Sequence, residues 1–300
     1  MKTSLKNRFQ LGVCEWSVLF RGRNLCESAK ISGLNCVQLG VGTEIFKGEG
    51  LSSEKIVEEY QHASQELGVE IVSISPQFVD EYSFTMPRTT EEIEIVDYLI
   101  GYTMKMCGKF HCNSFLLPVL CRNDIVDGTS FHNAVSYIRK YAREAREKNL
   151  EIYLELNQDL SQLHNLLDAV DCSNVKVFFD SQNLYAQRGI SMAKYFTSLS
   201  RENLIGGVHV KDGNGEMLSG SLLGEGTSGF YKTCDAILES EYSGPILIES
   251  VYSKPGVCNQ GTENELLKRD ADTLHRIFGD NNKTNCNFKA QNSKDILISI

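Results

Sequence analysis

The sequence is short of positive charge. Its formal net charge is −9 and its pI about 5.3. That balance argues against a general affinity for DNA, RNA or anionic lipid, all of which are met by a basic face. A phosphorylated small molecule is not excluded, since it needs only a local cluster of cations. No stretch reaches the ~18 apolar residues of a membrane helix. The opening MKTSLKNRFQLGVCEW has no apolar signal-peptide core. Ten cysteines are present, yet none forms a C-x-x-C pair. Thiols scattered through apolar runs, as in NCVQLG, act as small hydrophobes and suit a reducing compartment. The expected location is therefore the cytoplasm. A chain of 300 residues buries enough surface to fold without disulfides or a structural metal.

What is present is a beat. Short apolar runs alternate with longer amphipathic ones. Strands are expected at 9–16, 35–41, 69–75, 112–119, 150–157, 174–180, 203–212 and 244–250. Helices are expected at 25–33, 52–68, 89–108, 130–149, 159–170, 191–202, 228–241 and 263–279, with Gly68 as a helix stop. This alternation predicts an α/β fold, a single (β/α)8 TIM barrel over residues 1–279. A doubly wound open sheet is the alternative. It more often has five to seven strands and a glycine-rich first turn, and VCEWSVLFRG contains no G-x-G-x-x-G. No linker or composition break divides the chain. Residues 280–300 are a polar tail ending in DILISI, either loose or packed on the barrel or on a neighbouring subunit of a homo-oligomer.

Side chains alternate faces along a strand. In the fifth strand Ile152, Leu154 and Leu156 share one face, and Glu151, Tyr153, Glu155 and Asn157 the other. In the sixth, Val175, Val177 and Phe179 point to the helices, and Phe178 and Asp180 inward. In the seventh, Val208 and Val210 face outward, and Ile205, Gly207, His209 and Lys211 inward, with Gly207 leaving room below. In the eighth, Ile246 and Ile248 face outward, and Leu247 and Glu249 inward. Four adjacent strands thus end in an inward polar group, Glu155, Asp180, His209 and Glu249, at the face where barrel active sites lie. Carboxylates this close repel and raise one another's pKa. A divalent cation resolves the conflict, and carboxylate-plus-histidine ligation suits Mn2+ first, with Mg2+, Co2+, Fe2+ or Zn2+ as alternatives. The absence of thiolate ligands argues against a structural zinc site.

Taken singly, these residues have plainer readings. Asp180 followed by Ser181 could cap the next turn. Lys211 could hold a substrate oxygen or form a salt bridge to a barrel carboxylate. Trp16 could form a sugar-stacking wall or join the core. LLGEGTSGF (222–230), which contains Glu225, reads as an anion-binding glycine loop or as a plain loop before a helix capped by Ser228. His62, His164 and His275 fall in helical runs and read as surface or interface residues. Asp212, in the other phase from Lys211, is expected to secure the loop that GNG turns.

The motifs YLELN, VFFDSQN, GVHVKD, LLGEG and PILIES, in this order, resemble the xylose-isomerase-like barrel superfamily and within it the sugar (phosphate) isomerase/epimerase branch. The resemblance spans roughly residues 9 to 279. It implies that Glu155, Asp180, His209 and Glu249 hold the metal and that Glu155 and Glu249 form the acid–base pair. Trp16, Asn183, Lys211 and Glu225 are the substrate-binding candidates. The implied activity is isomerisation or epimerisation of a small carbohydrate through a metal-stabilised enediolate. A lyase of the same superfamily, a dehydratase or a C-glycoside-cleaving enzyme acting on a 3-keto sugar, is the alternative. Many epimerases of the branch have a histidine three residues after the strand-six aspartate, where this chain has Asn183. They also carry an arginine after the strand-seven histidine, and KDGNGEML has none. Apurinic-site endonucleases share the barrel, but their trinuclear zinc site needs several histidines at the mouth, and of the six in this chain only His209 is so placed. A non-catalytic sugar-binding barrel is the remaining reading.

Overall fold

Eight parallel strands close on one another in the computed structural model, which describes residues 8–215 and 217–279. They are β1 (Phe9–Cys14), β2 (Cys36–Gly42), β3 (Glu70–Gln77), β4 (Ser114–Val119), β5 (Glu151–Leu156), β6 (Val175–Asp180), β7 (Ile205–Val210) and β8 (Gly244–Ile248). Pairing runs in chain order and ends with β8 against β1, from Phe9 beside Gly244 to Val13 beside Ile248. The closure makes this a (β/α)8 barrel and rules out the open sheet. The helices are α1 (Arg23–Ile31), α2 (Glu54–Leu67), α3 (Thr90–Phe110), α4 (Gly128–Glu147), α5 (Leu160–Val170), α6 (Asn183–Arg188), α7 (Met192–Arg201), α8 (Phe230–Glu239) and α9 (Glu263–Phe278). The polar tail, 280–300, lies outside the described residues.

Local chemistry sets the boundaries. Helix α2 ends where Gly68 takes a left-handed φ of 64°, as expected of a glycine stop. Helix α3 starts at Thr89, whose side chain accepts from Glu92 N. Helix α9 starts with a capping box between Thr262 and Glu265. The short α6 was not expected. It begins where the Asp180 carboxylate accepts from the backbone of Gln182 and Asn183, which helps satisfy its first amide donors. Ser228 does not cap α8. Gly229 does, at φ 80°, and the Ser228 hydroxyl turns to Asp212 instead.

The core has two parts. The larger lies between barrel and helices and takes the outward residues of every strand. The smaller fills the barrel with Cys14, Cys36, Leu116, Phe178 and Leu247, flanked by Trp16, Val72 and Tyr153. Burial raises the Cys14 thiol to about 11 and Cys36 well above its ordinary value, so both stay neutral and pack as hydrophobes. The inward and outward sorting of β5, β6 and β8 agrees with alternation. Strand β7 departs from it. Val177 pairs with Ile205 but Phe178 pairs with Gly207, so Gly206 and Gly207 together oppose one residue of β6. The slip turns Ile205 to the helix side, where it joins the outer core. It also removes the expected room below Gly207, because a Cβ there would sit 2.5 Å from the Phe178 ring.

Gly207→Ala should therefore lower stability by about 1–3 kcal/mol, the usual effect of overpacking. Gly101→Ala, an exposed helix position with nothing near its Cβ, should leave stability level or slightly raised. Thermal unfolding of the two variants against the parent checks this contrast.

Candidate metal centre

Alternation and strand length deliver four side chains to one point. Glu155 is the penultimate residue of β5, Asp180 the last of β6, His209 the penultimate of β7, and Glu249 follows β8. Each offers a donor atom, and these atoms lie within 4.8 Å of one another. Asp180 and Glu155 are buried, His209 wholly so. His209 Nδ1 stands 3.6 Å from both Glu155 Oε1 and Glu249 Oε2. Lys211, buried as well, reaches into the same group, 3.1 Å from Asp180 Oδ2 and 2.6 Å from Glu249 Oε2.

Every glutamate here has a holder. Trp16 Nε1 donates to Glu249 Oε1 at 2.9 Å, and its ring and that of His209 meet edge to face. Asn183 Nδ2 donates to Glu155 Oε1 at 3.0 Å. The plain and the functional readings of Asp180 both apply: Oδ1 caps the turn, and Oδ2 turns to the cluster. Lys211 likewise makes the salt bridge foreseen for it. Glu225 is the exception among the site candidates. Its carboxylate is half-exposed and pairs with Arg269 at 3.0 Å, and none of its contacts reaches the cluster.

The fields in the cluster are unequal. Burial raises the Glu155 carboxyl above its ordinary range, and the Glu249 charge adds to this. Burial opposes ionisation of Glu249 too, but the Lys211 ammonium and His209 outweigh it and hold that carboxyl at about 2. For His209, burial alone would disfavour the charged ring. The Glu249 carboxylate, together with the contacts to Cys14 and Glu155, reverses that and lifts it well above its ordinary value. Positive charge at Nδ1 is thus favoured, whether a proton or a metal ion supplies it.

The donor set fits a divalent cation. His209 Nδ1 and Asp180 Oδ2 are buried and have no hydrogen-bond partner, an expensive state for polar atoms. Among the described residues, three carboxylates face a single ammonium. With His209 neutral, as a metal ligand must be, two unbalanced negative charges remain, the complement of a 2+ ion. Oxygen and imidazole donors suit Mn2+, Mg2+, Co2+, Fe2+ or Zn2+.

Three polar residues that the pattern of the sequence did not single out for the site support it. Gln38, wholly buried in β2, sits 2.7 Å from His209 Nε2. Its signal was a lone amide in the apolar run CVQLGV. Glu15, on the turn after β1, accepts from Gly40 N and Tyr60 OH. Asp270 accepts from Leu223 N, Ser250 Oγ and Tyr252 OH, tying α9 to the loops after β7 and β8. Burial raises its carboxyl to about 6. It lies on the buried stripe of α9 with Leu266, Leu267 and Leu274, so helical spacing could have found it. The glycine loop at 222–230 does bind an anion, and that anion is Asp212. Its oxygens accept from Gly224 N, Gly226 N and Ser228 Oγ, and from Gly213 N on its own side. Gly226 is required, because a Cβ there would lie 2.3 Å from Asp212 Oδ1.

Fold and mouth together define a (β/α)8 barrel with a buried carboxylate–histidine cluster at its C-terminal face. The chain belongs to the xylose isomerase-like TIM barrel family, whose sequence model matches residues 26–277. No curated protein matches the chain by sequence. Among solved structures it is similar to the D-allulose 3-epimerase of Methylomonas sp. in complex with D-allulose, with a TM-score of 0.71 at 16% identity, covering 91% of this chain and 98% of that one. It is similar to a probable 3-DHS dehydratase of Bacillus anthracis, with a TM-score of 0.67 at 15% identity over 88% and 98%. It is also similar to the IOLI protein with a bound zinc atom, with a TM-score of 0.70 at 15% identity over 90% and 98%. At these identities the likeness is one of fold. No helix among the described residues is long and apolar enough to cross a membrane.

Asp212→Ala should free the 222–230 loop, since several donors lose a buried acceptor at about 1–3 kcal/mol each. Hydrogen exchange at Gly224 and Gly226 should rise sharply. Glu225→Ala, which removes only a surface ion pair, should leave those amides as they are.

Proposed function

We propose that this protein is a divalent-metal-dependent isomerase or epimerase of a small sugar or keto sugar. The observation that carries the reading is the convergence of Glu155, Asp180, His209 and Glu249, with two buried donor atoms left without a hydrogen-bond partner. These four residues would hold the ion, Mn2+ by preference. When bound, it supplies Lewis acidity toward a carbonyl and the neighbouring hydroxyl. The chain's own groups do the rest. Glu155 and Glu249 come from different strands of the mouth and can face a bound sugar from two sides. One removes the proton from the carbon next to the carbonyl, and the other returns a proton to form the product. Asn183 orients Glu155, while Trp16 and Lys211 orient Glu249. The half-buried Trp16 ring offers an apolar wall for a sugar face. Lys211 donates toward substrate oxygens as charge develops on them. Epimerase and zinc-bound relatives of this fold are in keeping with the proposal. Nine free thiols among the described residues suit a reducing compartment, the cytoplasm.

A second reading has its own support. The segment 211–228 contains no arginine, and Asn183 stands where many ketose epimerases have a histidine. If the substrate carries a leaving group β to the acidified carbon, the same proton abstraction ends in elimination. A dehydratase or a C-glycoside-cleaving lyase would result.

Incubation with free ketoses such as D-allulose and D-tagatose in D2O separates the two. Isomerase chemistry predicts deuterium at the carbon next to the carbonyl with the formula otherwise unchanged. Elimination predicts loss of water from these ketoses, or of the aglycone when a 3-keto C-glycoside is supplied instead. Chelation should abolish turnover and Mn2+ restore it, and Glu249→Gln should lower kcat by at least about 100-fold. Turnover that survives metal removal, or that persists in Glu249→Gln, contradicts the proposal.

A further inference from the structure

Gln38 lies in the middle of β2 with no exposed surface. A buried primary amide is expensive unless its oxygen and nitrogen are both used. Its partners define which way it faces. Oε1 is 2.7 Å from His209 Nε2 and also receives the Cys14 thiol at 3.5 Å. Nε2 donates to Ser73 Oγ at 3.2 Å. Ser73 is itself buried and paired in register with Gln38 on β3. The amide therefore presents its oxygen to the imidazole, an orientation in which the Cys14 thiol donates to that oxygen and the serine hydroxyl accepts from the amide nitrogen. In the neutral ring, the form that can ligate a metal ion, an acceptor at Nε2 requires the proton to sit there. The lone pair is then left on Nδ1, the atom that points between Glu155 and Glu249 and has no hydrogen-bond partner.

We propose that Gln38 is a positioning residue for the metal centre: a Ser73–Gln38 relay selects the Nε2–H tautomer of His209 and aims Nδ1 at the ion. This rests on the metal-centre reading above. The second nitrogen of a ligating histidine commonly donates to a carboxylate or carbonyl, which fixes ring angle and basicity. Here a side-chain amide from the opposite side of the barrel serves. Cys14 Sγ, 3.3 Å from the same nitrogen, is the neutral thiol that packs the ring from below.

The test is metal affinity, read by calorimetry with Mn2+ and Zn2+ on the whole protein, together with ring-nitrogen NMR of His209. Gln38→Met fills the space but accepts nothing from Nε2–H. It should weaken metal binding by about 10–100-fold and abolish the slowly exchanging Nε2–H signal of His209. Gln38→Glu keeps an acceptor at that point and should hold affinity within about threefold of the parent. A purely structural Gln38 would lower thermal stability in both variants and leave affinity and the Nε2–H signal unchanged, which overturns the proposal. Should Gln38→Met fail to fold, Ser73→Ala frees the amide, and an unaltered Nε2–H signal in that variant overturns the relay. A parent protein that binds no metal overturns the functional reading instead. The His209 signals of the parent and Gln38→Met still decide whether Gln38 selects the tautomer.

Discussion

The mouth of this barrel is organised by an excess of buried negative charge. Glu155, Asp180 and Glu249 meet around His209, and among the described residues Lys211 is the one ammonium set between them. Carboxylates at such spacing do not stay ionised together in a dry site without a counter-charge. Much around them answers that constraint. Lys211 bridges two of the acids, Trp16 and Asn183 donate to the glutamates, and the first turn of α6 donates two amides to Asp180. With His209 neutral two negative charges remain, and two donor atoms still lack a hydrogen-bond partner. That residue of imbalance makes the site chemically specific.

A second ring of polar contacts keeps the first in place. Asp212 gathers the loop after β7, and Asp270 clamps that loop to Ser250, the neighbour of Glu249. Gln38 and Ser73 hold the far side of His209. These residues touch no reacting atom. They hold the donors on short, rigid strand ends, where a shift of an ångström would spoil the geometry a metal or a proton transfer needs.

Much of this was legible in the sequence. The eight strands fall close to where apolar runs and turn signals put them, because parallel strands covered on both faces are written as continuous hydrophobic segments. Glu155, Asp180, His209 and Glu249 were found by alternation alone, since the strand ends carry a polar residue where the pleat turns inward. Alternation failed at Ile205. The bulge at Gly206 and Gly207 shifts the phase by one, and nothing in NLIGGV marks it except the paired glycines. Ser228 looked like a helix cap because its type suits one, but a buried carboxylate ten or more residues upstream competes for the hydroxyl. Glu225 was drawn in with its motif, while its partner Arg269 sits on a helix distant in sequence. Gln38 escaped notice because its partner His209 is 171 positions away, and no local pattern reports a contact across the barrel.

The central claim is that the four-residue cluster is a metal centre. Diffraction from metal-loaded crystals, collected on either side of the ion's absorption edge, tests it most directly. The account predicts one anomalous peak bound by Glu155, Asp180, His209 Nδ1 and Glu249. No peak there, or an ion held elsewhere, would contradict it.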